Sequence, residues 1–357
     1  MNRNIDELCK DPLFQLNLAI WLAQAQPASD FYVNPLFYKS GLTIYSISPL
    51  LALPPDIRLT IADRLECQDG ARPDLVLEST HANRKFCLLE CKATSFGQDS
   101  STSSQARTLL LISGPILSEV LGLGARGQNN GILCYLTRSD QVQLIVSTLE
   151  SLSRGIENLN LRTGENGSFG IKSDQSAILI EYSNIIKDFL SLIESSPVKV
   201  LTLEENTDPR PIYFIPLDPN LQQTKEEQEF SRRILCERIL SHIISKLGEA
   251  TVPFELNFTT VELLNSATFN LYEIWEDNDA KKHIRKLVRY FLENIKVNVN
   301  EPLKDCISYE SQKGWIINIK DKETHEGILK QVMKFKPETL DLSKQIDSTQ
   351  IELPYYD

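Results

Sequence analysis

An α/β domain with a mixed sheet flanked by helices, followed by a smaller α+β domain, is the fold class that three features of this 357-residue sequence predict. Short apolar runs alternate with amphipathic stretches through the first half of the chain, the pattern of a sheet covered on both faces. Residues 196–224 then break that pattern with prolines and acid. The composition, 41% hydrophobic and 24% charged with 15 Gly and 17 Pro, is that of a globular protein able to bury a core. These observations divide the chain into a domain at 1–195, a linker at 196–224 and a second domain at 225–357.

The elements follow in order. "DELCKDPLFQLNLAIWLAQA" places Leu13, Leu16, Ala19, Ile20 and Ala23 at helical spacing, which predicts a helix with one buried face. Residues 30–56 show no strong period, and "GLTIYSISPLLAL" fits an edge strand as well as a loop with a short helix. "IRLTIADRLE" alternates like a strand, and "RPDLVLES" and "KFCLLECKA" follow after turns, so three consecutive strands are expected. "SSTSSQARTLLLISGPILSEV" opens on hydroxyl residues able to cap a helix, which Pro115 should kink or divide. "GILCYLTR" is a central strand by its length and apolarity, and "SDQVQLIVSTLESLSRGIEN" is an amphipathic helix after a Ser-Asp cap. "SAILIEYSNIIKDFLSLIES" adds a strand or helix that closes the domain.

Beyond the linker, "KEEQEFSRRILCERILSHIISKLG", "TTVELLNSATFNLYEIWEDN" and "DAKKHIRKLVRYFLENI" read as three helices. "ISYES" and "WIINIKD" around a tight turn read as a hairpin. Three helices and a hairpin is the element order of a winged helix, with the third helix as its reading element.

Several classes are excluded. The longest apolar runs are interrupted before the length a bilayer span requires, so no membrane partner is expected. "MNRNIDELCKDPLF" lacks the basic flank and apolar stretch of a secretion signal, and the expected location is the cytoplasm. Seven scattered cysteines without a CxxC pair, and four histidines in separate segments, do not make a transition-metal cage. No GxSxG, phosphate loop or GxGxxG is present. The net charge of −11 opposes a protein coated in positive potential. Residues 281–296 nevertheless hold six Lys or Arg against one Glu.

Chemistry concentrates at 71–94, "ARPDLVLESTHANRKFCLLECKAT". Side chains alternate along a strand, so Glu90 and Lys92 share a face and Cys91 takes the other, a core position. Asp74 on the preceding strand can stand beside them. Two carboxylates and a lysine suit a hard divalent cation such as Mg²⁺ or Mn²⁺. The lysine would orient an attacking water or stabilise charge on a phosphate.

"PD" at 73 and 74, a gap with a turn, and "ECK" at 90–92 inside an apolar strand resemble the PD-(D/E)XK nuclease superfamily, which includes many restriction endonucleases. The helix, strand meander, helix, strand order is similar to that superfamily's core. The resemblance implies a restriction-endonuclease-like fold and a Mg²⁺-dependent endonuclease acting on nucleic acid, with double-stranded DNA the expected substrate. It also implies a prokaryotic defence, restriction or mobile-element context. Gln105 matches a glutamine that many members carry after the lysine strand, although Leu109 stands where an aromatic is usual. A further metal-binding acid often comes from the first helix or strand, where Glu7, or Asp63 and Glu66, are the candidates. Double-strand cleavage implies two chains, as a homodimer or with a regulatory partner.

Lys281, Lys282, Arg285, Lys286 and Arg289 recur at helical spacings, most of them along one broad face suited to phosphates. Ile284, Leu287, Val288 and Phe291 give the same helix a core side. Arg107 and Arg126 are candidates for the border of the cleft, against the plainer reading of polar loop residues. Glu78 and Cys91 are expected to be bystanders. The competing reading is a catalytically silent nuclease-like scaffold whose winged helix binds DNA or protein.

Overall fold

The computed structural model describes residues 5–24, 32–61, 64–81, 84–174, 176–202, 208–221, 224–311 and 313–337. The chain forms two compact units, Met1–Pro209 with Ile274–Asp277, and Arg210–Glu273 with Asn278–Asp357.

The N-terminal unit runs α1 (Ile5–Leu8), α2 (Pro12–Ala23), β1 (Tyr32–Val33), α3 (Leu36–Lys39), β2 (Leu42–Ile47), β3 (Leu51–Ala52) and α4 (Pro55–Ile61). It continues with β4 (Gly70–Ala71), β5 (Leu75–Ser79), β6 (Lys85–Cys91), α5 (Ser101–Ser113), α6 (Leu117–Val120), β7 (Asn130–Arg138) and α7 (Val142–Glu157). It ends with β8 (Glu165–Asp174), β9 (Ala177–Glu181), α8 (Asn184–Leu190) and β10 (Val198–Thr202). Eight strands make one mixed sheet in the order β1-β10-β9-β8-β7-β6-β5-β2. β6, β7 and β8 are parallel at its centre, and the flanking pairs are antiparallel.

Parallel neighbours need crossover helices, and α5 and α7 are those crossovers. Leu109, Ile112, Ile145 and Leu149 of these helices join Phe86, Leu88, Leu133 and Tyr135 of the sheet in one buried cluster. Ser100 caps α5 by accepting from the Ser103 amide, and Pro115 separates α5 from α6 as expected.

α2 is buried from Leu13 through Ala23, on all sides rather than on one face. Pro12 at its start, with Asp11 as cap, separates it from α1, although the sequence pattern runs through both. Of the strand expected at 57–66, residues 62 and 63 lie outside the described residues, and residues 57–61 lie instead in helix α4. Pro55 opens it with a φ already set for a helix, and Ile57 and Ile61 lie one turn apart, which leaves Leu59 79% exposed. The third strand beside β5 comes from β2, antiparallel to it. β8 has no counterpart among the expected elements, because Gly167 and Gly170 give its sequence the look of a loop. In the sheet a Cβ at Gly167 would meet Ile186 at 2.8 Å, and one at Gly170 would meet Ser139 Oγ at 2.8 Å. Both glycines therefore admit close packing. Val198–Thr202 is a buried strand of this sheet rather than linker, so the division at Pro209 falls later than residue 196.

The C-terminal unit contains α9 (Lys225–Glu249), β11 (Phe254–Phe258), α10 (Thr260–Ala267), α11 (Asn278–Asn298), β12 (Ile307–Glu310), β13 (Gly314–Ile319) and α12 (Lys322–Lys334). A capping box of Thr224 and Glu227 starts α9. The three strands are antiparallel in the order β11-β13-β12, so the expected hairpin is present and β11 is added to it. The expected helix from 259 stops at Ala267, because Phe269 and Asn270 have positive φ of 53° and 67° and turn the chain. Ile274–Asp277 belongs to the N-terminal unit, where the Ile47 amide donates to the Ile274 carbonyl at 2.9 Å.

Candidate active site

Two strands set the positions of the acids. β5 and β6 pair with Leu75 opposite Leu89 and Val76 opposite Leu88, and the same register places Asp74 opposite Glu90. Asp74 Oδ2 accepts the Cys91 backbone N–H at 2.7 Å, which ties the half-buried Asp74 to the end of β6. Alternation puts Phe86, Leu88 and Glu90 on the face packed by α5 and α7, and Cys91 on the opposite face. The Lys92 amide continues the ladder by donating to the Leu136 carbonyl at 3.0 Å, so Lys92 returns to the face of Glu90.

Glu90 is 1% exposed and is held at both oxygens. Its Oε1 accepts from Gln105 Nε2 at 2.7 Å, and its Oε2 lies 3.8 Å from Lys92 Nζ. Gln105 Nε2 also donates to the Arg72 carbonyl at 3.2 Å, so one amide of α5 joins β6 to the segment before β5. The Lys92 side chain is 29% exposed, so the site opens to solvent on that side.

Burial pushes the Asp74 carboxyl above the ordinary carboxylate range, against the lowering effect of the Cys91 amide and Lys92. Burial pushes Glu90 well above that range, Asp74 adds to the rise, and Lys92 opposes it. Two desolvated carboxylates facing one ammonium carry an excess of negative potential. A cation held between the two acids would oppose the effect of burial and favour the ionised form of both carboxyls. Oxygen donors of this kind suit Mg²⁺ or Mn²⁺, which keep several waters and bind through one or two carboxylates.

Asp74, Glu90, Lys92 and Gln105 are thus brought together. Glu7 stands exposed on α1, and among the described residues no contact joins its side chain to these four. Glu66 is exposed and lies 3.9 Å from Arg107, while Asp63 lies outside the described residues. Among the described residues no three His, Cys, Asp or Glu side chains are grouped to hold a metal. Arg107 donates to the Glu66 and Gln98 carbonyls, and Arg126 makes a bidentate pair with Asp56. Both tie loops to helices. Glu78 accepts from Arg84 and stays apart from the cluster, whereas Cys91, expected to be a bystander, meets it through Asp74, which accepts the Cys91 backbone N–H. Burial pushes the Cys91 thiol well up, and Asp74 and Glu90 add to the rise. His81 hydrogen-bonds the Ser40 carbonyl at 3.2 Å.

Two further residues reach the cluster without having stood out in the sequence. Gln15, fully buried on α2, donates to the Lys92 carbonyl at 3.2 Å and to the Cys9 carbonyl at 2.8 Å. A polar residue within the apolar run "LFQLNLAIWL" is its signal. Tyr135 of β7 stands beside Glu90 in the parallel register. Its phenol is pushed well up by burial, with Glu90 and Asp74 adding to the rise, so it stays protonated. Nothing in "GILCYLTR" distinguishes it from a core aromatic.

In the C-terminal unit the five basic residues lie on α11, with Ile284, Leu287, Val288 and Phe291 buried behind them. Lys282 and Lys286 are exposed. Arg285 Nε donates to the Tyr272 hydroxyl at 2.6 Å, and Lys281 Nζ lies 4.8 Å from the centre of that ring. Arg289 is half-buried.

Comparison with family models, curated proteins and solved structures gives no match. Among the described residues no helix is long and apolar enough to cross a membrane.

Proposed function

We propose that the protein is a metal-dependent endonuclease of the PD-(D/E)XK type, hydrolysing phosphodiester bonds of DNA. The observation that carries this reading is Glu90, buried and held between Gln105 and Lys92 with Asp74 opposite it. A buried carboxylate is costly unless it binds something, and one lysine does not balance two acids. Asp74 and Glu90 are the residues that would hold Mg²⁺ or Mn²⁺. When bound, the ion polarises the phosphate and lowers the pKa of a bound water. Lys92 orients the attacking water or stabilises developing charge, as its partly exposed ammonium group allows. Gln105 fixes the Glu90 carboxylate through its 2.7 Å bond.

The C-terminal unit supports a docking role. Its helix, strand, helix, helix, hairpin order is that of a winged helix, and Lys282 and Lys286 of α11 present charge to solvent. A defence, restriction or mobile-element setting, and pairing of two chains for double-strand cleavage, belong to the same proposal.

The test is cleavage of plasmid, linear and single-stranded DNA and of RNA with Mg²⁺, Mn²⁺ or EDTA, beside Glu90→Ala and Lys92→Ala. Cleavage by the wild type in Mg²⁺ or Mn²⁺, lost in EDTA and in both variants, is expected. Equal behaviour of wild type and variants on every substrate would overturn the catalytic role and favour a scaffold that only binds.

A further inference from the structure

Tyr135 is fully buried, and among the described residues its hydroxyl has no hydrogen-bond partner. Its ring lies 5.3 Å from that of Phe96, which closes over it. A buried hydroxyl left unpaired is costly, and a phenyl ring of the same shape would avoid that cost. The position of this hydroxyl is informative. Tyr135 and Glu90 are direct neighbours in the parallel pairing of β6 and β7, and therefore on one face of the sheet. Continuing the register places Thr137 beside Lys92. Thr137 is also fully buried, and its hydroxyl likewise lacks a partner among the described residues. Two unsatisfied hydroxyls thus flank the acid and the base of the cluster on the adjoining strand.

The carboxylates of Asp74 and Glu90 supply few of the positions a Mg²⁺-sized ion requires, and water completes the set. Water on a cation is a strong donor and needs acceptors around it. Glu90 is already engaged by Gln105 and Lys92. The phenol oxygen of Tyr135, on the strand next to Glu90 and on the same face of the sheet, is an acceptor without a donor among the described residues.

We infer that Tyr135 is a positioning residue of the carboxylate site, whose hydroxyl accepts a hydrogen bond from a water of the divalent cation held by Asp74 and Glu90. This rests on the metal-site reading above. Outer partners of this kind typically change metal affinity by about 10–100-fold when removed.

Mn²⁺ binding to the full chain, followed by calorimetry and by the electron paramagnetic resonance of free Mn²⁺, tests it. Tyr135→Phe is expected to bind Mn²⁺ about 10-fold more weakly than wild type, while its melting temperature in EDTA is unchanged or raised. Position 135 carrying 3-fluorotyrosine, which keeps the ring and weakens the oxygen as an acceptor, is expected to fall between the two. Mn²⁺ binding by both variants at the wild-type affinity would overturn the inference and leave the metal site standing. A wild type that binds no Mn²⁺, like Glu90→Gln, would overturn the metal-site reading and this inference with it.

Discussion

In the N-terminal unit Glu90 is 1% exposed and bound at both oxygens, whereas in the C-terminal unit Lys282 and Lys286 of α11 stand exposed on a helix whose other side is core. Both regions are charged clusters within apolar sequence, but their energetics differ. A charge in a strand interior is desolvated, so its protonation, its partners and its stability are coupled. A charge on a helix surface keeps its water and acts at a distance through its field. Between these extremes stands Arg285, whose bond to Tyr272 at 2.6 Å makes it part of the packing of its unit. Specific chemistry is therefore expected at the buried cluster, and salt-dependent docking at the exposed one.

The contrast between the two clusters breaks most directly at Lys92. Lys92→Met is expected to lower cleavage by about 10²–10³-fold, the scale for removing one group that stabilises developing charge. Plasmid relaxation assays in Mg²⁺ measure it. An unchanged rate would show that the buried cluster is not the reacting one.

Gln105→Leu is expected to destabilise the metal-free protein by about 1–3 kcal/mol, because it leaves Glu90 Oε1 buried without its donor. Urea denaturation measures the loss. Indifference would mean that the 2.7 Å bond is not what holds Glu90.

The pH dependence sharpens the same point. Asp74 and Glu90 both have carboxyls raised above their ordinary values, so the folded chain holds these protons more tightly than the unfolded chain does. Their contribution to stability is complete below the ordinary carboxylate values of about 4 and is lost as pH rises through the raised ones. Thermal melts in EDTA should therefore decline across that window. Glu90→Gln should flatten the decline and raise stability at neutral pH, because the desolvated carboxyl that resists ionisation is gone. Cation affinity should rise with pH over the same range.

At the exposed cluster, Lys282→Ala with Lys286→Ala should shift folding stability by no more than about 0.5 kcal/mol. The same pair should weaken DNA binding and lower its salt slope by about 1 for each phosphate that is no longer neutralised. Filter binding across a salt series would show it. A large stability loss would mean that these lysines serve packing, as Arg285 does.

Local pattern carries much of this molecule. The β5 and β6 strands, β7, the capped helix α5 with its break at Pro115, α7, α9, α11 and the hairpin of β12 and β13 are legible because their periodicity, caps and turns agree with their burial. Asp74, Glu90, Lys92 and Gln105 are legible as a group because ionisable residues inside an apolar strand are conspicuous. Tertiary structure alone decides the rest. Alternation at 57–61 is compatible with helix or strand, and Pro55 together with the placement of Ile57 and Ile61 selects the helix. The glycines of β8 look like loop residues until Ile186 and Ser139 pack against them. Gln15 and Tyr135 reach the cluster only because α2 covers β6 and β7 lies beside it, contacts between residues far apart in sequence. A sequence records which side of its own element each residue takes, and only the pairing of distant elements determines what that side meets.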